Sequence, residues 1–465
     1  MERQTRREFL KRMGVAAASV GTVSMLSSCA GVGQTRKAGK KQPNIVVIIS
    51  DDMGYADIGC HGCRDIATPN IDSIARKGVR FANGYVSCPV CSPTRAGLAT
   101  GCYQQRFGHE YNTGPPPGGL REHVGLPLTE VTIADVLKSA GYVTGAVGKW
   151  HLGMAPHFHP LKRGYDEFFG FLHGGHSYID SGLGTFNPIL RGIEPVDEKE
   201  YLTDAFSREA VAFIEWHKDK SFFLYLAYNA VHTPMQGPER YKDKFKDIAN
   251  QKRQVYAGML TAMDEGIGKV LSKLRELGLE EDTLLFFVND NGGPTQANGS
   301  NNDPLRATKG TMYEGGIRVP FLIQWPQQVK AGQVYEHPVI ALDILPTAAA
   351  AARAKLPKGR KIDGVNLLAY LSGEKRKPPH EILFWRSGQN HAVRRGNWKL
   401  VNMGSETGLF DLGSDIGESK DLKEERADVL KEMEKAFENW NSQMVEPAWM
   451  IQRRKRKITK KKKKS

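Results

Sequence analysis

The sequence predicts an α/β fold: a large doubly wound mixed β-sheet flanked by helices, followed by a small C-terminal antiparallel sheet plus a helix. Three observations carry this reading. Short continuous apolar runs, beginning with Asn44-Ile45-Val46-Val47-Ile48-Ile49, read as buried strands and recur in the rhythm strand, polar cluster, helix. Past Pro346 the rhythm changes to short strands separated by turn residues. The composition, 465 residues with 40% hydrophobic side chains and 49 glycines, suits a loop-rich α/β enzyme rather than a disordered or fibrous chain.

The first strand ends at Ser50-Asp51-Asp52, which sets two carboxylates at the carboxyl edge of a sheet, where open α/β sheets build ligand sites. Thr68 to Arg76 reads as a helix and Val79 to Tyr85 as a strand. Ser92 as N-cap and Pro93 as first helical residue predict a helix with Cys91 at its mouth. Thr132 opens a capping box with Asp135 on a helix that runs to Gly141. The strand Tyr142 to Val147 then delivers Gly148-Lys149-Trp150-His151. A glycine- and histidine-rich loop, Gly170 to Gly184, precedes a helix over Thr203 to His217. The strand Phe222 to Tyr228 ends at Asn229-Ala230-Val231-His232. Val255, Met259, Met263, Ile267, Val270, Leu274 and Leu277 keep helical spacing and predict a long helix from Gln251 to Leu277. It feeds a strand, Thr283 to Val288, that stops at Asn289-Asp290-Asn291-Gly292-Gly293. The C-terminal strands are read at Ile382 to Arg386, His391 to Arg394, Trp398 to Val401 and Leu409 to Asp411, with a covering helix over Ala427 to Trp440.

The formal charge of +14 is concentrated at the ends. Residues 453–464 carry ten positive charges; without them the charge is +4, and without the first 28 residues as well it is +1. A near-neutral body gives no reason to expect nucleic-acid binding. The polybasic end reads as a solvated tail, with a clamp for polyanions as the alternative. At the N-terminus, Thr5-Arg6-Arg7-Glu8-Phe9-Leu10-Lys11 looks like a twin-arginine export signal. The weakly apolar stretch Met13 to Met25 that follows is too short to span a bilayer. Leu26-Ser27-Ser28-Cys29 resembles a bacterial lipobox with Cys29 as the acylated residue. The organisation expected is therefore 1–29 signal with lipobox, 30–42 tether, 43–375 catalytic domain, 376–450 small C-terminal subdomain and 451–465 polybasic tail. Such a protein would be exported to the periplasm or outer-membrane surface and anchored to the membrane through lipid at Cys29.

Cys60-His61-Gly62-Cys63 and Cys88-Pro89-Val90-Cys91 form two Cys-x-x-Cys pairs. The rival reading they raise is a zinc-thiolate or redox site. Export favours disulfides over zinc thiolates, so Cys60, Cys63, Cys88 and Cys102 could instead form up to two bridges.

Cys91, at a helix mouth where backbone N–H groups and the dipole favour an anion, shares one turn with the permanent cation of Arg95. Asp51, Asp52, Asp290 and Asn291 offer hard oxygen donors at strand ends, suited to Ca²⁺ or Mg²⁺ rather than zinc. The stretch Cys91-Ser92-Pro93-Thr94-Arg95, with Thr100-Gly101 downstream, resembles the sulfatase signature. Gly-Lys149-Trp-His151-Leu-Gly, His232-Thr-Pro, the block around Lys309 and the two acidic clusters follow in the same order as that family's motifs. The resemblance spans Asn44 to Asp411 and implies an alkaline-phosphatase-like fold and hydrolysis of sulfate esters.

It further implies that a maturation enzyme oxidises Cys91 to formylglycine, whose hydrated aldehyde attacks sulfur. Calcium, with Mg²⁺ second, would be held by Asp51, Asp52, Asp290, Asn291 and the modified Cys91. Arg95, Lys149 and Lys309 would balance developing charge, His232 would protonate the leaving alcohol, and His151 would assist release of sulfate. The expected substrate is a sulfated carbohydrate, with His173, His176 and Tyr178 as candidates to line a sugar subsite. A formylglycine-dependent phosphodiesterase or phosphonate monoester hydrolase, and a non-catalytic metal- or polyanion-binding lipoprotein, are the alternatives.

Overall fold

The computed structural model describes residues 42–114 and 122–449. The export signal, Cys29, the tether and the polybasic tail lie outside the described residues.

In chain order the strands are β1 (Asn44–Ser50), β2 (Val79–Phe81), β3 (Gly84–Tyr85), β4 (Val143–Lys149), β5 (Glu167–Phe171), β6 (Leu190–Arg191), β7 (Glu194–Pro195), β8 (Phe222–Ala227), β9 (Thr283–Asn289), β10 (Phe321–Gln324), β11 (Gln333–Tyr335) and β12 (Val339–Ile340). A C-terminal set follows: β13 (Ile382–Ser387), β14 (Asn390–Arg395), β15 (Trp398–Asn402) and β16 (Thr407–Asp411). The principal helices are α1 (Pro69–Lys77), α2 (Cys91–Thr100), α3 (Ile133–Ser139), α4 (Leu202–Trp216), α5 (Gln251–Glu276), α6 (Ile344–Ala351) and α7 (Ala427–Asn441).

The large sheet runs β11-β2-β10-β9-β1-β8-β4-β5-β6-β7. Its centre, β9-β1-β8-β4-β5, is parallel, while β10, β6 and β7 join antiparallel, so the sheet is mixed as expected. β1 lies between β8 and β9, with Ile49 opposite Ala227 and Ser50 opposite Asn289. That register brings the segments after β1, β8 and β9 to one edge. Alternate β1 residues feed two cores: Ile45, Val47 and Ile49 pack with α2, α3 and α6, whereas Val46 and Ile48 pack with α1, α4 and α5. Burial on both faces is why the run is apolar without alternation.

The capping box forms as predicted, with Asp135 N–H donating to Thr132 Oγ1 and Thr132 N–H to Asp135 Oδ2. Three readings need correction. The segment Val79 to Tyr85 is two strands: β2 joins the large sheet, while β3 pairs with β12. Gly84 makes the break possible, because a Cβ there would sit 2.6 Å from the Phe321 Cβ. The helix of the cysteine motif starts at Cys91 with Val90 as N-cap, so Ser92 is not the cap. Its hydroxyl is drawn elsewhere, donating to His151 O at 2.6 Å and meeting His109 Nε2 at 2.7 Å. The strands β5, β6, β7, β10, β11 and β12 lie outside the strands read from sequence. Gly170, expected to open a loop, lies within β5, its φ of 156° matching extended glycine close to Gly148 O.

The β13–β16 sheet is antiparallel throughout and shares a hydrophobic core with the large sheet. Trp385 Nε1 donates to Val86 O at 2.6 Å and Gln105 Nε2 to Arg386 O at 2.6 Å, bracing the chain on either side of α2. Lys399, fully buried, lies 2.8 Å from both Glu314 and Glu418. Removing an ammonium shared by two buried carboxylates is costly, so Lys399→Ala should lose about 3–5 kcal/mol of unfolding free energy in a denaturant titration. A loss below about 1 kcal/mol would show that the small sheet does not depend on this contact.

Candidate active site

Every catalytic or metal residue read from the sequence, Cys29 aside, arrives at the carboxyl edge of the large sheet. Asp51 and Asp52 follow β1, Lys149 ends β4, His232 follows β8, Asp290 and Asn291 follow β9, and Cys91 and Arg95 occupy the first turns of α2. Lys309 comes from the loop before the short helix Glu314–Ile317, held there by Gly310 N–H donating to Pro89 O.

The charges are paired one to one. Lys149 Nζ lies 2.5 Å from Asp51 Oδ2. Arg95 donates through Nε and Nη2 to Asp290 Oδ2 at 2.9 and 2.8 Å and through Nη1 to Lys149 O at 3.1 Å. Lys309 Nζ bonds Asp52 Oδ1 and lies 3.1 Å from Cys91 Sγ. Cys91 Sγ is itself 3.5 Å from Asp51 Oδ1. All of these groups are buried except Lys309, which is largely so. Burial, reinforced by Asp290, pushes the Cys91 thiol up to about 12 despite Lys149 and Lys309, so it is protonated at neutral pH. At Lys309 burial opposes the charge, but the surrounding Cys91, Asp52, Asp51 and Asp290 outweigh it and hold the ammonium well above its ordinary value. His151 moves the other way: burial, with Lys149 and Arg95 adding to it, holds its imidazole well below the usual range, so it is neutral.

The donors fit a hard cation. Ligand atoms of Asp51, Asp52, Cys91 and His232 fall within 4.8 Å of one another. Asn291 donates through Nδ2 to Asp52 Oδ1 at 2.7 Å, leaving its buried Oδ1 with no partner. A buried amide oxygen without a donor is costly, and a cation would satisfy it. Asp290 is turned more toward Arg95, its Oδ1 accepting from the Asp52 amide at 3.4 Å. Asp52 and His151 both adopt left-handed backbone, φ 61° and 59°, a conformation that costs a non-glycine residue about 1 kcal/mol or more and clusters at functional sites.

His232 donates from Nδ1 to Thr233 O at 2.6 Å, which fixes the tautomer and leaves Nε2 facing Asp52 Oδ2 at 3.6 Å. The candidate subsite residues separate. Tyr178 is buried with its hydroxyl 2.5 Å from Asn229 O and 2.8 Å from His232 O, so it positions the His232 segment instead of lining a subsite. His176 is buried against Phe171, with Nδ1 on Ser177 O. His173 stays at the site, its ring centroid 6.3 Å from that of His151.

Three positioning residues were missed from sequence. Asn289 ties the two acidic clusters, accepting from Ser50 Oγ (2.9 Å) and Met53 N–H (3.2 Å) while donating to Met53 O and Asn291 O. Asn298 donates to Asp52 O at 2.9 Å and Val231 O at 3.2 Å, joining the metal and histidine segments. Ser92 holds the His151 carbonyl. A polar side chain at a strand end or inside a motif was the available signal, but partners more than fifty residues away were invisible. The five described cysteines are all free, so the bridges considered for Cys60, Cys63, Cys88 and Cys102 do not form. The two Cys-x-x-Cys pairs do not converge: among the described residues the one metal-competent group contains a single cysteine.

Residues 43–354 match the family model described as Sulfatase, and residues 307–443 match that described as N-sulphoglucosamine sulphohydrolase, C-terminal. The chain is 33% identical over 407 residues to N-acetylgalactosamine-6-sulfatase of Mus musculus, covering 82% of this chain and 76% of the relative. It is 34% identical over 410 residues to arylsulfatase A of Homo sapiens, covering 81% and 76%. The solved structure of Ps i-CgsB in complex with k-i-k-neocarrahexaose superposes with a TM-score of 0.83 at 39% identity, over 89% of this chain and 95% of that one. With the motifs in order on the matching fold, the chain belongs to the sulfatase family and is a sulfuric ester hydrolase of the alkaline-phosphatase-like superfamily.

Proposed function

We propose that this sulfatase releases sulfate from a sulfated carbohydrate, a polysaccharide or its oligosaccharides, using formylglycine at position 91 and a bound calcium ion. The observation that carries the site assignment is Cys91 Sγ lying 3.1 Å from Lys309 Nζ inside a buried ring of three carboxylates and three cations. A thiol held up near 12 is a poor nucleophile in its own right, which favours a modified side chain. The carbohydrate reading is supported by relatives named for N-acetylgalactosamine 6-sulfate and by a similar structure solved with a neocarrahexaose.

Asp51, Asp52, Asn291 and residue 91, with Asp290 behind Arg95, are the groups that would hold the cation. The cation's contribution, once bound, is Lewis-acid polarisation of the sulfuryl oxygens and of the nucleophilic hydroxyl at position 91. The remaining chemistry belongs to the chain. Arg95, unable to deprotonate, pairs with Asp290 and adds fixed positive charge behind the nucleophile. Lys149 and Lys309, buried or largely buried beside residue 91, would neutralise charge on the sulfuryl group as it develops. His232, its Nδ1–H committed to Thr233 O, acts as the imidazolium: it gives the Nε2 proton to the departing alcohol and is left as the neutral Nδ1–H tautomer. Neutral His151, whose buried Nδ1 has no partner, takes a proton from position 91 as sulfate leaves.

The N-terminal signal and Cys29 complete the proposal: export by the twin-arginine route, a lipid anchor, and a maturation enzyme supplying formylglycine. Among the described residues no helix is long and apolar enough to cross a membrane.

In peptide mass spectra of active protein, residue 91 should be lighter than cysteine by the sulfur-to-aldehyde exchange. Full activity with unmodified cysteine would overturn the mechanism. Lys309→Ala should lower kcat by about 10²–10³ with an unchanged circular-dichroism spectrum; an unaltered kcat removes Lys309 from the chemistry. Sulfate release across a panel of sulfated galactose and hexosamine oligosaccharides tests the substrate class, and release from none of them refutes it.

A further inference from the structure

The chain between β5 and β6, residues 172–189, forms one wall of the active site. Its backbone runs directly over the two histidines: a Cβ on Gly174 would fall 2.5 Å from His151 Nε2, and one on Gly175 would fall 3.5 Å from His232 Cε1. The wall is built, not draped. Asn187 accepts from the His173 N–H through Oδ1 and donates through Nδ2 to Gly175 O, both at 3.1 Å. Thr185 closes a turn onto Gly182 O, and Ile189 N–H donates to Ser181 O at 2.9 Å.

On this frame a line of rings leads out of the site. His173 follows His151 at 6.3 Å between centroids, and the Phe186 ring meets His173 edge-on at 5.8 Å. Gly175 N–H donates to His173 Nδ1 at 3.4 Å, so the ring proton sits on Nε2, which is buried and without a partner. Phe186 is 69% exposed, and Ile179 and Leu183 on the same segment are 67% and 53% exposed. An exposed aromatic ring held by a neighbouring ring in an ordered loop is an unfilled contact surface, not a core residue. Asp180 is the one charged side chain among residues 172–189, so nothing on this wall recruits a second sulfate.

We propose that this wall is a sugar subsite: Phe186, held by the His173 ring behind it, stacks against the CH face of the uncharged sugar next to the sulfated unit. An aromatic face offers large, rigid contact area at little entropic cost. The inference rests on the carbohydrate reading above and adds that the enzyme acts on chains of at least two sugars, reading the neighbour by shape and not by charge.

The test compares wild type, Phe186→Ala and Phe186→Trp on a sulfated monosaccharide, on the tetrasaccharide bearing that unit, and on an aryl sulfate. Wild type should favour the tetrasaccharide over the monosaccharide. Phe186→Ala should lower kcat/KM on the tetrasaccharide about tenfold, chiefly through KM, and leave the monosaccharide unchanged. Phe186→Trp should restore it. The inference is overturned by equal losses on both sugars, by no loss on the tetrasaccharide, by a loss confined to the aryl sulfate, or by wild type that shows no preference for the longer sugar. Wild type that releases sulfate from no sugar refutes the carbohydrate reading itself, and this inference with it.

Discussion

Three carboxylates buried at one edge of a sheet are tolerable only because each has its own cation. Asp51 faces Lys149, Asp290 faces Arg95 and Asp52 faces Lys309. An unpaired buried charge costs several kcal/mol, so none of the six can be placed without its partner. The partners come from different parts of the chain: the β1, β4 and β9 ends, the first turns of α2 and the loop at 309. The charge ring is therefore complete only when all of these segments are in place. The parallel register of β1 against β9, with Ser50 opposite Asn289, sets the spacing of the acidic groups, and Asn289 locks it.

The same ring explains what the site can do. As it stands the six charges cancel, and a divalent cation would make the pocket net positive where an anionic ester must bind. The oxygen of Asn291, buried and unbonded, is the place in the protein frame left open for it. Above the ring, the wall over His151 and His232 carries one charged side chain, Asp180, and exposes Ile179, Leu183 and Phe186, so charge is concentrated at the sheet edge and not on the β5–β6 connection.

Much of this was legible in the sequence because the strongest signals are local. The unbroken run of β1, the helical spacing of α5 and the Thr132–Asp135 capping box each need only a few neighbours to act, and each formed where expected. The site residues were legible because each follows a strand end, opens a helix or lies in a glycine-rich turn. What was not legible depends on distant partners. Strands β6 and β7, two residues each, exist only through pairing, β6 with β5 and β7 with β6, and no periodicity marks them. Ser92 had the sequence of an N-cap, yet the His151 carbonyl and His109 claimed its hydroxyl. Tyr178 was a candidate to line a sugar subsite, and only the fold buried it under the His232 segment.

The C-terminal sheet supports this arrangement from behind, with Trp385 on Val86 O and Arg386 on Glu110 steadying the chain that enters and leaves α2. The central claim is that a divalent cation is gripped against residue 91 by the acidic groups at the sheet edge. Anomalous diffraction from a crystal of the mature enzyme grown with calcium addresses it directly. The account predicts one calcium peak bounded by Asp51, Asp52, Asn291 and the side chain of residue 91. An empty position there, or calcium bound only elsewhere, would contradict it.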